Sequence, residues 1–171
     1  MTRQLRFGLV GTGHWARIAH APALASTDGI DFAAVWGRNA GAAAELAGRY
    51  HATPYHDVSE FVANVDAVAF AVPPDAQAPI AIRAARAGRH LLLEKPIAIS
   101  TAEADALVEA VEQAGVASVV FFTARFQADV RSWLSEVTAT GGWAGGCAVW
   151  LGSALRAGNP FNTPRPNHQW P

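Results

Sequence analysis

Lys95 is placed to do acid–base chemistry. In His90-Leu91-Leu92-Leu93-Glu94-Lys95-Pro96 a short apolar run delivers the lysine to its end, and Pro96, lacking an N–H, stops the ladder. A lysine at such an edge can hydrogen-bond a substrate hydroxyl, assist its deprotonation or donate to a carbonyl oxygen. Glu94 has two readings: it orients the lysine, or it belongs to a structural ion pair. Pro96 fixes the turn, with a cis peptide as one way of doing so.

A second constellation opens the chain. Leu5 to Val10 is a short apolar run that leads into Gly11-Thr12-Gly13-His14-Trp15-Ala16. With Ala16 in the third small position, this fits G-x-G-x-x-G/A, the loop that cradles a dinucleotide pyrophosphate. Gly11 allows the tight turn, Gly13 lets phosphate approach the backbone, and Ala16 lets helix and strand pack closely. The unpaired N–H groups of the helix start offer partial positive charge to an anion. His14 and Trp15 sit in this loop, each readable as a cofactor contact or as packing.

The end of the second strand selects between cofactors. NAD sites place a carboxylate there to bind the ribose hydroxyls. Here the segment reads Trp36-Gly37-Arg38-Asn39, with no acid at the strand end. Arg38 is suited to pair with a 2′-phosphate and to stack on adenine. The expected cofactor is NADP(H), with NAD as the alternative; Arg38 as a solvated surface charge is the plainer reading.

These residues need a scaffold that brings strand ends together. The spacing predicts strands at 5–10, 31–36, 53–55, 66–72, 89–93 and 116–122, alternating with helices at 14–25, 40–50, 57–63, 75–88 and 100–114. Pro22 is expected to kink or end the first helix. Asp57 with Glu60, and Ser100 with Glu103, mark helix starts, while Gly88 and Gly115 mark ends. This alternation predicts an α/β fold, a doubly wound parallel sheet of the Rossmann type. In its order 3-2-1-4-5-6, Pro73-Pro74 and Glu94-Lys95-Pro96 both flank the nicotinamide. A dinucleotide-binding domain is expected over 1–123. Residues 124–171 read as part of a second domain and a tail, with a helix at 127–137, a strand at 147–151 and a proline-rich end from Arg156.

Composition narrows the class. The 171 residues carry a net charge of −1 and are 51% hydrophobic, so nothing points to nucleic acid. No run approaches the roughly 20 apolar residues of a membrane span. The N-terminus has no secretory pattern, and a cytoplasmic enzyme is expected. Cys147, the single cysteine, is expected to be buried and reduced. His20, His51 and His56 show no metal-ligand spacing, so no metal site is expected.

Gly11-Thr12-Gly13, Val72-Pro73-Pro74 and the run from Ala87 through Glu94-Lys95-Pro96 to Ala98 resemble the Gfo/Idh/MocA oxidoreductases. The resemblance covers about Leu5 to Leu151. It implies hydride transfer at a secondary alcohol or ketone of a sugar, polyol or dihydrodiol, with Lys95 in the catalytic group. It also implies homo-oligomers among full-length relatives, associating through a second, open-faced sheet. Three departures stand out. Gly37 replaces the acid of many members, which favours NADP. Gln77 replaces a histidine after the Pro-Pro turn, altering a polar contact expected near the nicotinamide. An Asp/His-bearing helix of the second domain has no counterpart before Pro171, and His168, in the proline-rich tail, does not substitute for it. Arg125, after the sixth strand, is a further candidate to face the cofactor. Trp143, Trp150 and Trp170 suit a core, a sheet interface or a sugar-stacking surface. The isolated chain is therefore expected to bind NADPH but to turn over sugars or polyols weakly or not at all. The alternatives are a non-catalytic nucleotide-binding module and, less economically, a methyltransferase-like Rossmann protein.

Overall fold

The computed structural model describes residues 3–147, 149 and 152. Six parallel strands form one sheet: β1 (Leu5–Val10), β2 (Ile30–Trp36), β3 (Thr53–Tyr55), β4 (Ala67–Phe70), β5 (His90–Leu93) and β6 (Ser118–Val120). Their order is β3-β2-β1-β4-β5-β6, the doubly wound arrangement the alternation predicts. The helices are α1 (Ala21–Ser26), α2 (Ala40–Arg49), α3 (Val58–Ala63), α4 (Pro74–Arg86), α5 (Thr101–Ala114) and α6 (Ala128–Thr140). The chain divides after Ala124 into two compact units, and the sheet with α1 to α5 belongs to the first. Among the described residues, no helix is long and apolar enough to cross a membrane.

Both sheet faces are covered, which explains strands that are apolar throughout. Val10, Val68, Phe70, Leu91 and Leu93 pack with Phe61 of α3, Ala81, Ala84 and Ala85 of α4, and Leu107 of α5. Their sequence neighbours Leu9 and Ala69 point the other way, packing with Leu24 of α1 and Ala43, Leu46 and Ala47 of α2. Alanines on α2 and α4 let these helices lie close to the strands.

Helix ends follow the expected chemistry. The Asp57 carboxylate accepts from the amides of Ser59 and Glu60 at 2.7 and 2.9 Å. Those amide bonds hold its carboxyl below the usual range. Ser100 Oγ accepts from the Glu103 amide, and Glu103 reaches back to the amide of Ile99 rather than that of Ser100. Gly88 follows α4 with φ +76°, and the Arg89 amide reaches back to Ala84 O, as in a Schellman closure.

Four expectations are corrected. Pro22 does not end the first helix. A π turn (Ala16–His20) precedes α1, closed by the Ala21 amide on Ala16 O, and it carries the chain through the proline. The wider turn accommodates the N–H that proline lacks. β4 and β6 are shorter than expected, although pairing around β6 runs from Ala117 O to the Phe121 amide. α6 extends to Thr140, where Gly141 follows. Cys147 is exposed, not buried, because residues 141–147 form no helix or strand that would cover it. The rest of the expected strand at 147–151, Trp150, Trp170, His168 and the tail lie outside the described residues, apart from Val149.

Candidate functional site

The parallel sheet sends the expected site residues to one edge. Gly11-Thr12-Gly13 follow β1, Gly37-Arg38 follow β2, Pro73-Pro74 follow β4, and Glu94-Lys95-Pro96 follow β5. All are carboxyl ends of strands, and β1 and β4 are neighbours from which the connections run in opposite directions. Ligands of doubly wound sheets bind at this switch point.

The glycine loop is built as a cradle. Gly11 has φ +125°, and a Cβ there would lie 2.4 Å from Ala71 O, so only glycine fits. Its amide donates to Trp36 O at 2.8 Å, which ties the loop to the end of β2. A Cβ on Gly13 would meet nothing within 4 Å, leaving the exposed backbone open to an approaching group. Ala16 is fully buried under the helix start. Arg17 anchors the loop from behind. Its Nε donates to Thr12 O at 3.0 Å, and its two terminal nitrogens grip Glu45 of α2 at 2.9 and 3.1 Å. That grip, with Arg49 on the same carboxylate, holds Glu45 below its ordinary pKa.

The Glu94-Lys95-Pro96 turn is held from two sides. Gln77, fully buried on α4, accepts from the Glu94 amide at 2.9 Å. Its Nε2 donates to Glu94 O at 2.8 Å and lies 3.3 and 3.2 Å from the carbonyls of Pro96 and Ile97. Gln77 therefore clamps the turn through its side-chain amide. The Lys95–Pro96 peptide is cis.

The Glu94 carboxylate faces the first helix, not the lysine ammonium. Its Oε1 accepts from Trp15 Nε1 at 2.6 Å and from His20 Nε2 at 2.9 Å. Its Oε2 accepts from the Lys95 amide at 3.3 Å. An ionised carboxylate only accepts, so Nε2 is the protonated His20 nitrogen. Burial raises the Glu94 carboxyl, but the hydrogen bonds from His20 and Trp15 outweigh it and leave the group below its ordinary value. Of the two readings of Glu94, orientation of the Lys95 side chain is the one this geometry corrects. Lys95 is exposed, and its ammonium makes no ion pair among the described residues. With Pro96, Ile97, Val120 and Phe122 it borders an open apolar pocket of about 510 Å³.

His20 is the site residue that sequence reasoning did not place, and the clamping role of Gln77 was not foreseen. His20 is 5% exposed, edge-on to Trp15 at 6.4 Å and 5.9 Å from the Phe121 ring. Trp15 and His20 are five residues apart, a spacing that shares a face only where hydrogen bonding runs i to i+5. The Pro22 signal is what could have announced that turn. Trp15 is half-buried with its indole N–H on Glu94, while His14 and Arg38 are exposed. Arg38 has no hydrogen bond or ion pair among the described residues. Arg125 belongs to the second unit. Among the described residues, no group of three or more His, Cys, Asp or Glu is arranged to hold a metal ion.

Residues 5–122 match the oxidoreductase family with an NAD-binding Rossmann fold, the Gfo/Idh/MocA family. The chain belongs to this family. UDP-N-acetylglucosamine 3-dehydrogenase of Acidithiobacillus ferrooxidans is 38% identical over 104 residues, 61% of this chain and 32% of that protein. The NADP(+)-dependent scyllo-inositol 2-dehydrogenase of Bacillus subtilis is 30% identical over 66% of this chain and 35% of its own length. A solved structure of GenD2 from gentamicin A biosynthesis, in complex with NAD, superposes with a TM-score of 0.66 at 31% identity. It covers 70% of this chain and 35% of that one. The chain thus spans about a third of each of these relatives.

Proposed function

We propose that this chain is the dinucleotide-binding part of an NADP(H)-dependent oxidoreductase acting at a secondary alcohol or ketone of a sugar, polyol or dihydrodiol. The observation that carries the proposal is the convergence on one sheet edge of an open glycine cradle, a guanidinium with no partner among the described residues and an exposed lysine on a clamped turn. The fit to a dinucleotide rests on Gly13, whose Cβ position is empty, and on Gly11, which no larger residue replaces. Gly11, Thr12, Gly13, His14 and Trp15 would hold the pyrophosphate side, Gly37 and Arg38 the adenosine side, and Pro73, Pro74, Glu94, Lys95 and Pro96 the nicotinamide side.

When bound, the nicotinamide supplies the exchange of a hydride with carbon. The chain's own groups do the rest. Lys95 Nζ hydrogen-bonds the substrate oxygen and carries its proton in or out. Glu94, tied to Trp15 and His20, fixes the backbone from which Lys95 projects, and Gln77 holds the same turn from below. Arg38 meets a 2′-phosphate bidentately. Residues 124–171 are assigned to the start of a substrate and oligomerisation domain. The names of the relatives, dehydrogenases of an amino sugar nucleotide and of an inositol, support a ring secondary alcohol as substrate.

Titration of NADPH and NADH, followed by nucleotide fluorescence, tests the cofactor reading. NADPH is expected to bind more tightly, with Arg38→Ala removing about tenfold or more of that preference. Equal or tighter NADH binding by the unaltered chain overturns the NADP assignment. A panel of sugars, polyols and dihydrodiols, followed by nucleotide turnover, then tests the substrate class.

A further inference from the structure

The glycine loop and the Lys95 turn follow different strands, yet one indole joins them. Trp15 comes two residues after Gly13 and opens the π turn (Ala16–His20). The Arg17 amide donates to Gly13 O at 3.1 Å, so a backbone hydrogen bond closes the loop onto the turn that carries Trp15. From there the indole Nε1 donates to Glu94 Oε1 at 2.6 Å, a short bond of the kind an ionised acceptor forms. The other oxygen, Oε2, accepts from the Lys95 amide at 3.3 Å. A carboxylate is planar and rigid, so a shift of one oxygen carries the other with it.

The contacts around Glu94 divide into fixed and movable. Gln77 is fully buried and bonds the N–H and C=O of Glu94, while the Lys95 amide is left to the Glu94 carboxylate. His20 is anchored: it is buried, its ring lies 5.9 Å from that of Phe121, and the Phe121 amide donates to Leu93 O at the end of β5 at 2.7 Å. Trp15 is half-buried and follows directly from the exposed Gly13, whose Cβ position is open. A group that arrives at Gly13 therefore acts on the segment that carries the indole. The indole in turn acts on the carboxylate that holds the Lys95 amide.

We propose that Trp15 is a positioning residue for Lys95: through the Glu94 carboxylate, its indole N–H couples occupation of the glycine loop to the backbone of the Lys95 turn. The coupling is reciprocal, so a turn held in place strengthens binding at the loop by the same factor. It holds for either nicotinamide nucleotide, because the adenosine end takes no part in it. The proposal rests on the dinucleotide reading above and adds to it the link between its pyrophosphate and nicotinamide sides.

ADP is the probe, because it carries the pyrophosphate and lacks the nicotinamide half that would touch the Lys95 turn directly. Backbone amide and indole NMR signals of the chain are followed as ADP is added. The amides of 11–13, the Trp15 indole N–H and the Lys95 amide are expected to move with one midpoint concentration. In Trp15→Phe, which keeps a ring and loses the donor, the shifts at 11–13 should remain and the shift at Lys95 should largely disappear. The proposal is overturned if 11–13 respond in the unaltered chain while the indole and Lys95 signals stay still, or if the Lys95 shift survives Trp15→Phe intact. No response at 11–13 overturns the dinucleotide reading itself, and the coupling with it.

Affinity gives a second readout that mere damage to the loop does not reproduce. NADPH engages both sides and ADP only one, so Trp15→Phe should weaken NADPH at least about threefold more than ADP. Equal weakening of the two contradicts the proposal. If Trp15→Phe does not fold, the response of the Trp15 indole and Lys95 signals to ADP in the unaltered chain decides the matter alone.

Discussion

Replacing Gln77 with methionine isolates the clamp on the Lys95 turn. Methionine keeps the length and nearly the volume of the side chain, so little cavity opens in a position that is fully buried. What is lost is the amide. The Glu94 N–H forfeits its acceptor at 2.9 Å, and Glu94 O forfeits its donor at 2.8 Å. The longer approaches to Pro96 O and Ile97 O compete for the remaining N–H and add less. A buried backbone group left without a partner costs about 1–3 kcal/mol, so two give about 2–6 kcal/mol. That is a large share of the 5–15 kcal/mol typical of a domain. Urea unfolding should show a lower midpoint at unchanged slope, with a melting temperature reduced by roughly 5–15 °C. Gln77→Glu keeps an acceptor for the Glu94 amide but turns a carboxylate toward carbonyl oxygens, and should cost at least as much. A loss below about 0.5 kcal/mol for Gln77→Met would refute the view that Gln77 holds this turn.

The remaining predictions separate structure from binding. Gly11→Ala forces a side chain onto Ala71 O at a φ of +125° and should destabilise the fold by about 2–5 kcal/mol in denaturant unfolding. Gly13→Ala meets nothing within 4 Å and should leave stability within about 0.5 kcal/mol while weakening NADPH at least about tenfold in titration. Glu94→Gln should cost about 2–3 kcal/mol at pH 7, since a half-buried carboxylate on three donors becomes a neutral amide. The Glu94 pKa is depressed in the fold, so its stabilisation is complete above the unfolded value, about 4.3, and is lost as pH falls through the folded one. The stability gap between the two proteins, measured from pH 7 to pH 3, should therefore shrink in acid; a constant gap contradicts the assignment of charge to Glu94.

The strand order and the placement of Gly11, Arg38, Pro73 and Lys95 at one edge were legible because they depend on local signals. Apolar runs end at glycines and prolines, and right-handed crossovers then dictate which ends meet. The contacts that hold the site were not legible in the same way. Glu94 reads as a neighbour of Lys95 in the chain, yet its carboxylate is drawn to Trp15 and His20, which reach it across the sheet from the first helix. His20 shares a face with Trp15 only through a π turn, whose hydrogen bonds leave no fixed residue pattern. Gln77 carries no periodic signal of its own, since a polar residue on a helix ordinarily faces water. Cys147 was misjudged because composition favours burial of cysteine, while burial requires an element to cover it.

Backbone amide NMR of the chain titrated with NADPH tests the central claim most directly. The largest shifts should fall on the amides of residues 11–16, on 37–39 and on 94–96, the glycine loop and its neighbouring strand ends, with β3 and the amino ends of the strands unmoved. Shifts spread elsewhere on the molecule, or none at saturating NADPH, would contradict a dinucleotide site at the carboxyl edge of this sheet.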